Sequence, residues 1–469
     1  MPEKADSPPP RGTRNVLHMA LGFLFVFFGF NTAQNFVVPL FGSVGSLSLG
    51  ILYFVFTFVL LAAPSIMAYV GGPKRAMVLG AWGYTLYLSS MIYLNEPLVL
   101  LASVLIGASA ALLWTGQGAY LLANTCRANN GRMAGVFWGV LMMSQILGNT
   151  SASLLLQATG AAKKKNVCTE PAAGGGAAAF SPGWNGTDSE LFVVLAGVSA
   201  LGALVLGCLP NGPGGGGGGG SGGGGAAVAA TDAGEATASS SSSGGGNASA
   251  REKLAATCRM LAQPSMLLLA PLFFYTGIGV TFYAGQFTRQ VCEQANIGYI
   301  MTCLGVAETL GSTAFGRLSD AVGSTAVLVM SAVLQVGALA VVWEANAAQG
   351  GLLYLAAVLL GLADCGFQTQ MYKVLGDLWA GEDSEDAFAA YKFLQSLACT
   401  CGFFYQPLFV SAPRKTSDGA QLRDEIMLCG SFLALGMIGL GAQRMHLAKH
   451  GKGQQGSEYT RVGGDEEEG

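Results

Sequence analysis

Between Asn15 and Cys126 the only charged side chains are Lys74, Arg75 and Glu96. A domain folded in water cannot leave such a length uncharged, because its outer face has to be wetted. A bilayer imposes the opposite requirement. With no water to satisfy the backbone, a spanning segment is a helix of about 20 mostly apolar residues. The shortage of charge runs through the whole chain, where 11% of residues are charged against about a quarter in a soluble protein. Composition therefore names the lipid bilayer as a partner, and the small net charge of −3 gives no reason to expect nucleic acid.

Apolar segments at 16–40, 47–70, 76–94, 98–123, 133–158 and 191–209 precede the stretch 211–250, which is almost wholly Gly, Ser and Ala. Six more follow it, at 267–287, 297–315, 326–343, 352–371, 387–410 and 426–442. The stretch between has too little side chain to bury and reads as a flexible linker. Two sixfold blocks on one tether are the layout of transport-type membrane proteins. The expected architecture is an all-α membrane protein of twelve transmembrane helices in two bundles, at 16–210 and 251–445. A disordered tail at 1–15 and a second tail at 446–469 flank them.

Lys and Arg favour the cytoplasmic side of a membrane. With the N-terminus inside, that side collects Arg11, Arg14, Lys74, Arg75, Arg127, Arg132, Arg317, Lys373, Lys392 and Arg444, and the other side mainly Lys163, Lys164, Lys165, Arg289 and Arg423. Both termini and the linker are then cytoplasmic, in a multi-pass protein of the plasma membrane or an endomembrane. The Pro-rich start of the chain lacks the short apolar core of a cleaved signal peptide. Loop 160–190 falls outside, and its Asn185-Gly186-Thr187 is a glycosylation acceptor sequence. Cys168 and Cys292 share that oxidising side. A bridge between them would clip the bundles together, and two unpaired thiols are the alternative.

Polar groups at membrane depth are costly and mark candidate sites. Asn31, Gln34 and Asn35 in the first span are spaced i, i+3, i+4, which puts three amides on one helix face. They serve either as interhelical glue or as cavity lining. The fourth span carries Trp114, Gln117 and Tyr120, with Gly116 and Gly118 allowing close backbone approach. Gly131, Gly135 and Gly139 form a small-residue stripe suited to helix packing, and Gln145 with Asn149 extends a polar track. Mid-span acids are confined to Glu308 in the eighth span and Asp364 in the tenth, with Gln368 one turn beyond Asp364. Each reads either as a proton-coupling group or as a buried, protonated structural acid. After the eighth span, Gly316, Arg317, Asp320 and Gly323 suggest a tight cytoplasmic loop. Scattered cysteines and three histidines offer no metal or haem ligand set, so neither a metal nor any cofactor is expected. Phosphate-cradling, zinc-protease and nucleophile-elbow motifs are absent from the sequence, which argues against an enzyme.

The Gly, Asp, Gly spacing of that loop resembles the cytoplasmic signature of the major facilitator superfamily. The matching loop of the first half, Gly71-Gly72-Pro73-Lys74-Arg75, lacks the acid. More closely, the chain resembles the uncoordinated-93 family, named for a potassium-channel regulatory protein. The pieces that carry the likeness are Gln34-Asn35, Ala63-Pro64-Ser65, Gly72-Pro73-Lys74, Trp114 to Tyr120, Gly148-Asn149 and Phe274-Tyr275-Thr276-Gly277. The resemblance implies a major facilitator fold and a regulator or trafficking partner of an ion channel or receptor. Its rival is a secondary transporter in which Glu308 or Asp364 couples a small solute to protons or cations.

Overall fold

The computed structural model describes residues 11–93, 95–125, 130–159, 186–210, 258–291, 293–345, 350–379, 383–410 and 418–462. Cys168, Cys292 and Asn185 lie outside them. The helices are α1 (Gly12–Leu60), α2 (Ala63–Tyr69), α3 (Pro73–Ser90), α4 (Glu96–Ala123), α5 (Asn130–Ala158) and α6 (Gly186–Gly207). After the linker come α7 (Pro264–Thr281), α8 (Gln294–Val322), α9 (Ser324–Glu344), α10 (Gly350–Leu378), α11 (Asp383–Val410) and α12 (Asp418–Val462). A π-helical segment, Phe282–Phe287, extends α7. Helix stands at each expected span, and no strand occurs among the described residues.

Eight of these helices are long and apolar enough to cross a bilayer. α1 counts once there although it supplies two arms. α3, α8 and α11 have the length but fall short in apolarity. α8 and α11 carry Glu308 and Lys392, interior charges that only a bundle can shelter. Outward faces are apolar to match a lipid surround: Leu101 on α4, Val333 on α9 and Ile438 on α12 are each about two-thirds exposed.

Glycine sets the reversals. Gly42 has φ 58 and ψ −126, and there α1 folds back on itself. A Cβ on Gly45 would meet the Val37 carbonyl, which a straight helix would hold about 12 Å away. At the opposite end of the bundle Gly71 and Gly72 (φ 91 and 104) turn the chain, and Pro73 opens α3. Gly323 (φ 86, ψ 154) alone separates α8 from α9. The signature loop is therefore a correction: Gly316, Arg317 and Asp320 belong to the last turns of α8, and one glycine makes the turn.

That backbone region is open essentially to glycine only, so Gly323→Ala is expected to cost about 1–3 kcal/mol. Gly316→Ala, inside α8 with nothing within 4 Å of the new methyl, should be neutral or stabilising. Thermal unfolding of the two purified variants reads the contrast, and equal midpoints would refute the account of the turn.

Packing repeats between the halves. α1 lies against α4, α5 and α6, and α3 against α4 and α6. In the second half α7 lies against α11 and α12, α8 against α10, and α9 against α10. The halves meet along two seams, α1 with α11 and α5 with α8. The tightest approaches fall in the Gly42 half of each. Ser46 Oγ donates to Gln406 Oε1 at 2.7 Å, and the hydroxyls of Thr150 and Thr302 are 3.0 Å apart. A Cβ on Gly50 would stand 2.8 Å from the Phe404 ring, and one on Gly298 would collide with the Asn149 carbonyl. Toward the Gly323 end, Gly135, Gly139 and Gly316 have no neighbour within 4 Å. The stripe expected to pack helices is thus unpacked at Gly135 and Gly139. Close approach on α5 occurs instead at Gly148, whose Cβ would meet Thr32 Oγ1.

Candidate functional site

The amide face of α1 divides its work. Asn35 is buried and donates through Nδ2 to Asn149 Oδ1 at 3.1 Å, and Asn149 donates to the Gln145 carbonyl at 2.8 Å. Asn35 and Asn149 thus tie α1 to α5. Asn31 donates to Ser144 Oγ at 3.0 Å, and Gln34 to the Tyr53 hydroxyl at 3.2 Å. Asn31, Gln34 and Tyr53 are only partly buried.

The fourth-span residues go to separate places. Trp114 stacks on Trp138 at 5.6 Å and rests against Phe23 and Phe27. Gln117 is buried within α4. The Tyr120 hydroxyl donates to the Pro210 carbonyl at 3.0 Å, at the end of the bundle remote from Gly42. Gly116 sits where α4 meets the start of α3, its Cβ position 2.8 Å from the Pro73 carbonyl.

In the second half the two acids come together. The carboxyl groups of Glu308 on α8 and Asp364 on α10 are neighbours. Gln368 Nε2 donates to Asp364 Oδ1 at 3.5 Å, and Gln368 Oε1 accepts from the Tyr391 hydroxyl at 2.9 Å. Gln395 Nε2 bonds the same Gln368 oxygen at 3.3 Å and Thr276 Oγ1 at 3.2 Å.

Sequence reasoning missed Lys392. It lies on α11 about 13 Å beyond the Asp383 start, given about 1.5 Å per residue. Its Nζ donates to Gln395 Oε1 at 2.9 Å and stands 4.9 and 5.4 Å from the ring centroids of Tyr391 and Tyr372. Asp364 feels its charge. The available signal was Gln395 at i+3, which gives a helical lysine an inward partner. Lys373, by contrast, reaches Ser319 Oγ at 3.1 Å near the Gly323 turn. A second missed acid, Glu425 on α12, is buried beside Gln286 of the π segment and Arg289.

The family model described as ion channel regulatory protein UNC-93 matches residues 42–412. The chain belongs to the UNC-93 family. Similar relatives include UNC93-like protein MFSD11 of Xenopus tropicalis, 28% identical over 438 residues, 85% of this chain and 91% of that one. UNC93-like protein 3 of Arabidopsis thaliana is 27% identical over 84% of this chain and 80% of its own length. Among solved structures, the nucleoside transporter NupG aligns over 92% of this chain and 99% of its own with a TM-score of 0.57 at 12% identity. That likeness shows a major facilitator fold. The UNC-93 match takes in Trp114, Glu308, Asp364 and Lys392, whereas the Asn31 to Asn35 face precedes it.

Proposed function

We propose that this UNC-93 chain is a membrane-embedded regulatory or trafficking partner of an ion channel or receptor, with the transporter fold as its scaffold. The observation that carries the reading is the family match across both halves. The interior supports it, because Lys392, Gln368, Gln395 and Tyr391 satisfy one another through hydrogen bonds. The Gly71 to Arg75 turn, without the acid of the second-half signature, also suits a scaffold more than a working carrier. In this reading both termini and the 211–250 stretch are cytoplasmic, and potassium homeostasis is the process served.

A carrier of a small solute is the second reading, favoured by the neighbouring acids Glu308 and Asp364 within the spans. Proximity labelling from the N-terminus in cells should enrich a channel or receptor whose surface amount changes at least twofold when this chain is depleted. Purified protein that drove solute uptake into vesicles, with uptake lost in Glu308→Gln or Asp364→Asn, would overturn the regulator reading.

A further inference from the structure

The rings of Tyr372 and Tyr391 meet at 84° with centroids 5.9 Å apart, forming a two-sided corner. Phe388 stacks on the outer face of Tyr372 at 5.5 Å and backs that wall. The corner faces an ammonium group at 4.9 and 5.4 Å, inside the roughly 6 Å over which a ring face attracts a cation. Gln395 Oε1 supplies a neutral acceptor at 2.9 Å, and Asp364 is linked to Gln395 through Gln368. Nothing in the sequence reading or the UNC-93 likeness assigns this constellation a ligand.

We propose that this corner is a binding site for one monovalent ammonium-type cation, and that Lys392 is its built-in occupant. Geometry sets the stoichiometry, since the two rings and Gln395 Oε1 face a single ammonium group. Construction separates the site from its occupant. The rings, Gln395 and Asp364 are fixed to α10 and α11 through short, mutually bonded side chains, whereas the Lys392 ammonium rides on a flexible four-carbon stem. Glu308, Asp364, Gln368 and Lys392 are each only partly buried. A carrier has to release its cargo, and a cation tethered to the backbone never leaves. Self-occupancy thus fits a scaffold descended from carriers.

The test uses purified full-length protein in nanodiscs and radiolabelled methylammonium as the probe. The Lys392→Ala variant should bind methylammonium saturably and at least tenfold more tightly than the parent protein. Adding Glu308→Gln and Asp364→Asn together should abolish that gain. Monodisperse Lys392→Ala protein that binds no more tightly than the parent would overturn the proposal. Should the alanine variant fail to fold, Tyr372→Leu decides. With one wall gone, acylation of Lys392 by a small amine reagent should rise at least threefold relative to Lys373, and an unchanged ratio would overturn the proposal equally. Both readouts use isolated protein, so they stand or fall separately from any channel partner.

Discussion

Lys392→Met is expected to destabilise the protein by about 1–3 kcal/mol, the cost of leaving partly buried polar groups without their charged partner. Methionine keeps the apolar stem and removes only the ammonium, so the loss reports charge and not packing. Asp364→Asn is expected to be much milder. Glu308 is its neighbour, so one carboxyl remains beside the lysine when Asp364 is replaced. In the Asp364→Asn background the lysine faces one remaining carboxyl, which can stay protonated once the lysine is gone. Lys392→Met should therefore cost little there, and the double variant should recover most of the lost stability. Thermal unfolding of the four proteins completes the cycle. Strictly additive losses would show that Lys392 and the acid pair do not form one electrostatic unit.

The same side chains show what a sequence can and cannot reveal. Helices were legible because a bilayer permits nothing else for the backbone at those lengths. Glu308 and Asp364 were legible because a carboxylate inside an apolar run has no lipid-facing solution. Lys392 was not, because it lies near the start of an apolar segment, where a lysine reads as a cytoplasmic anchor. The acidic residues before it are helical as α11 begins at Asp383, and that extra helix carries Lys392 inward. Spacing alone also leaves the neighbours of a residue open. Trp114, Gln117 and Tyr120 follow one another along α4, yet Tyr120 ends against Pro210 while Trp114 joins Trp138. Gly131, Gly135 and Gly139 have the right stagger for close packing, but the α5–α8 seam is tight only beyond them. Which part of a seam touches depends on the tilt of one half against the other, and no local pattern encodes that.

The tight part of that seam yields the second large expectation. Gly298→Leu should part α8 from α5 at the Gly42 end. A Cβ there would overlap the Asn149 carbonyl and Ser153 Oγ. Asn149 has little room to retreat, being bonded to Asn35 Nδ2 at 3.1 Å and to the Gln145 carbonyl at 2.8 Å. Overpacking at such a contact costs about 1–3 kcal/mol if the neighbours stay, and the cheaper response is for the halves to move apart. The Thr150 and Thr302 hydroxyls, 3.0 Å apart one turn further along, make that movement measurable. Cysteines placed at those two positions should be joined efficiently by a short bifunctional reagent, with the linked peptides read by mass spectrometry. Gly298→Leu should lower the yield at least tenfold. Gly337→Leu on α9, where nothing lies within 4 Å, should leave it unchanged. A folded Gly298→Leu protein that still cross-links at the parent yield would mean that the seam is not held shut by close contact at this glycine.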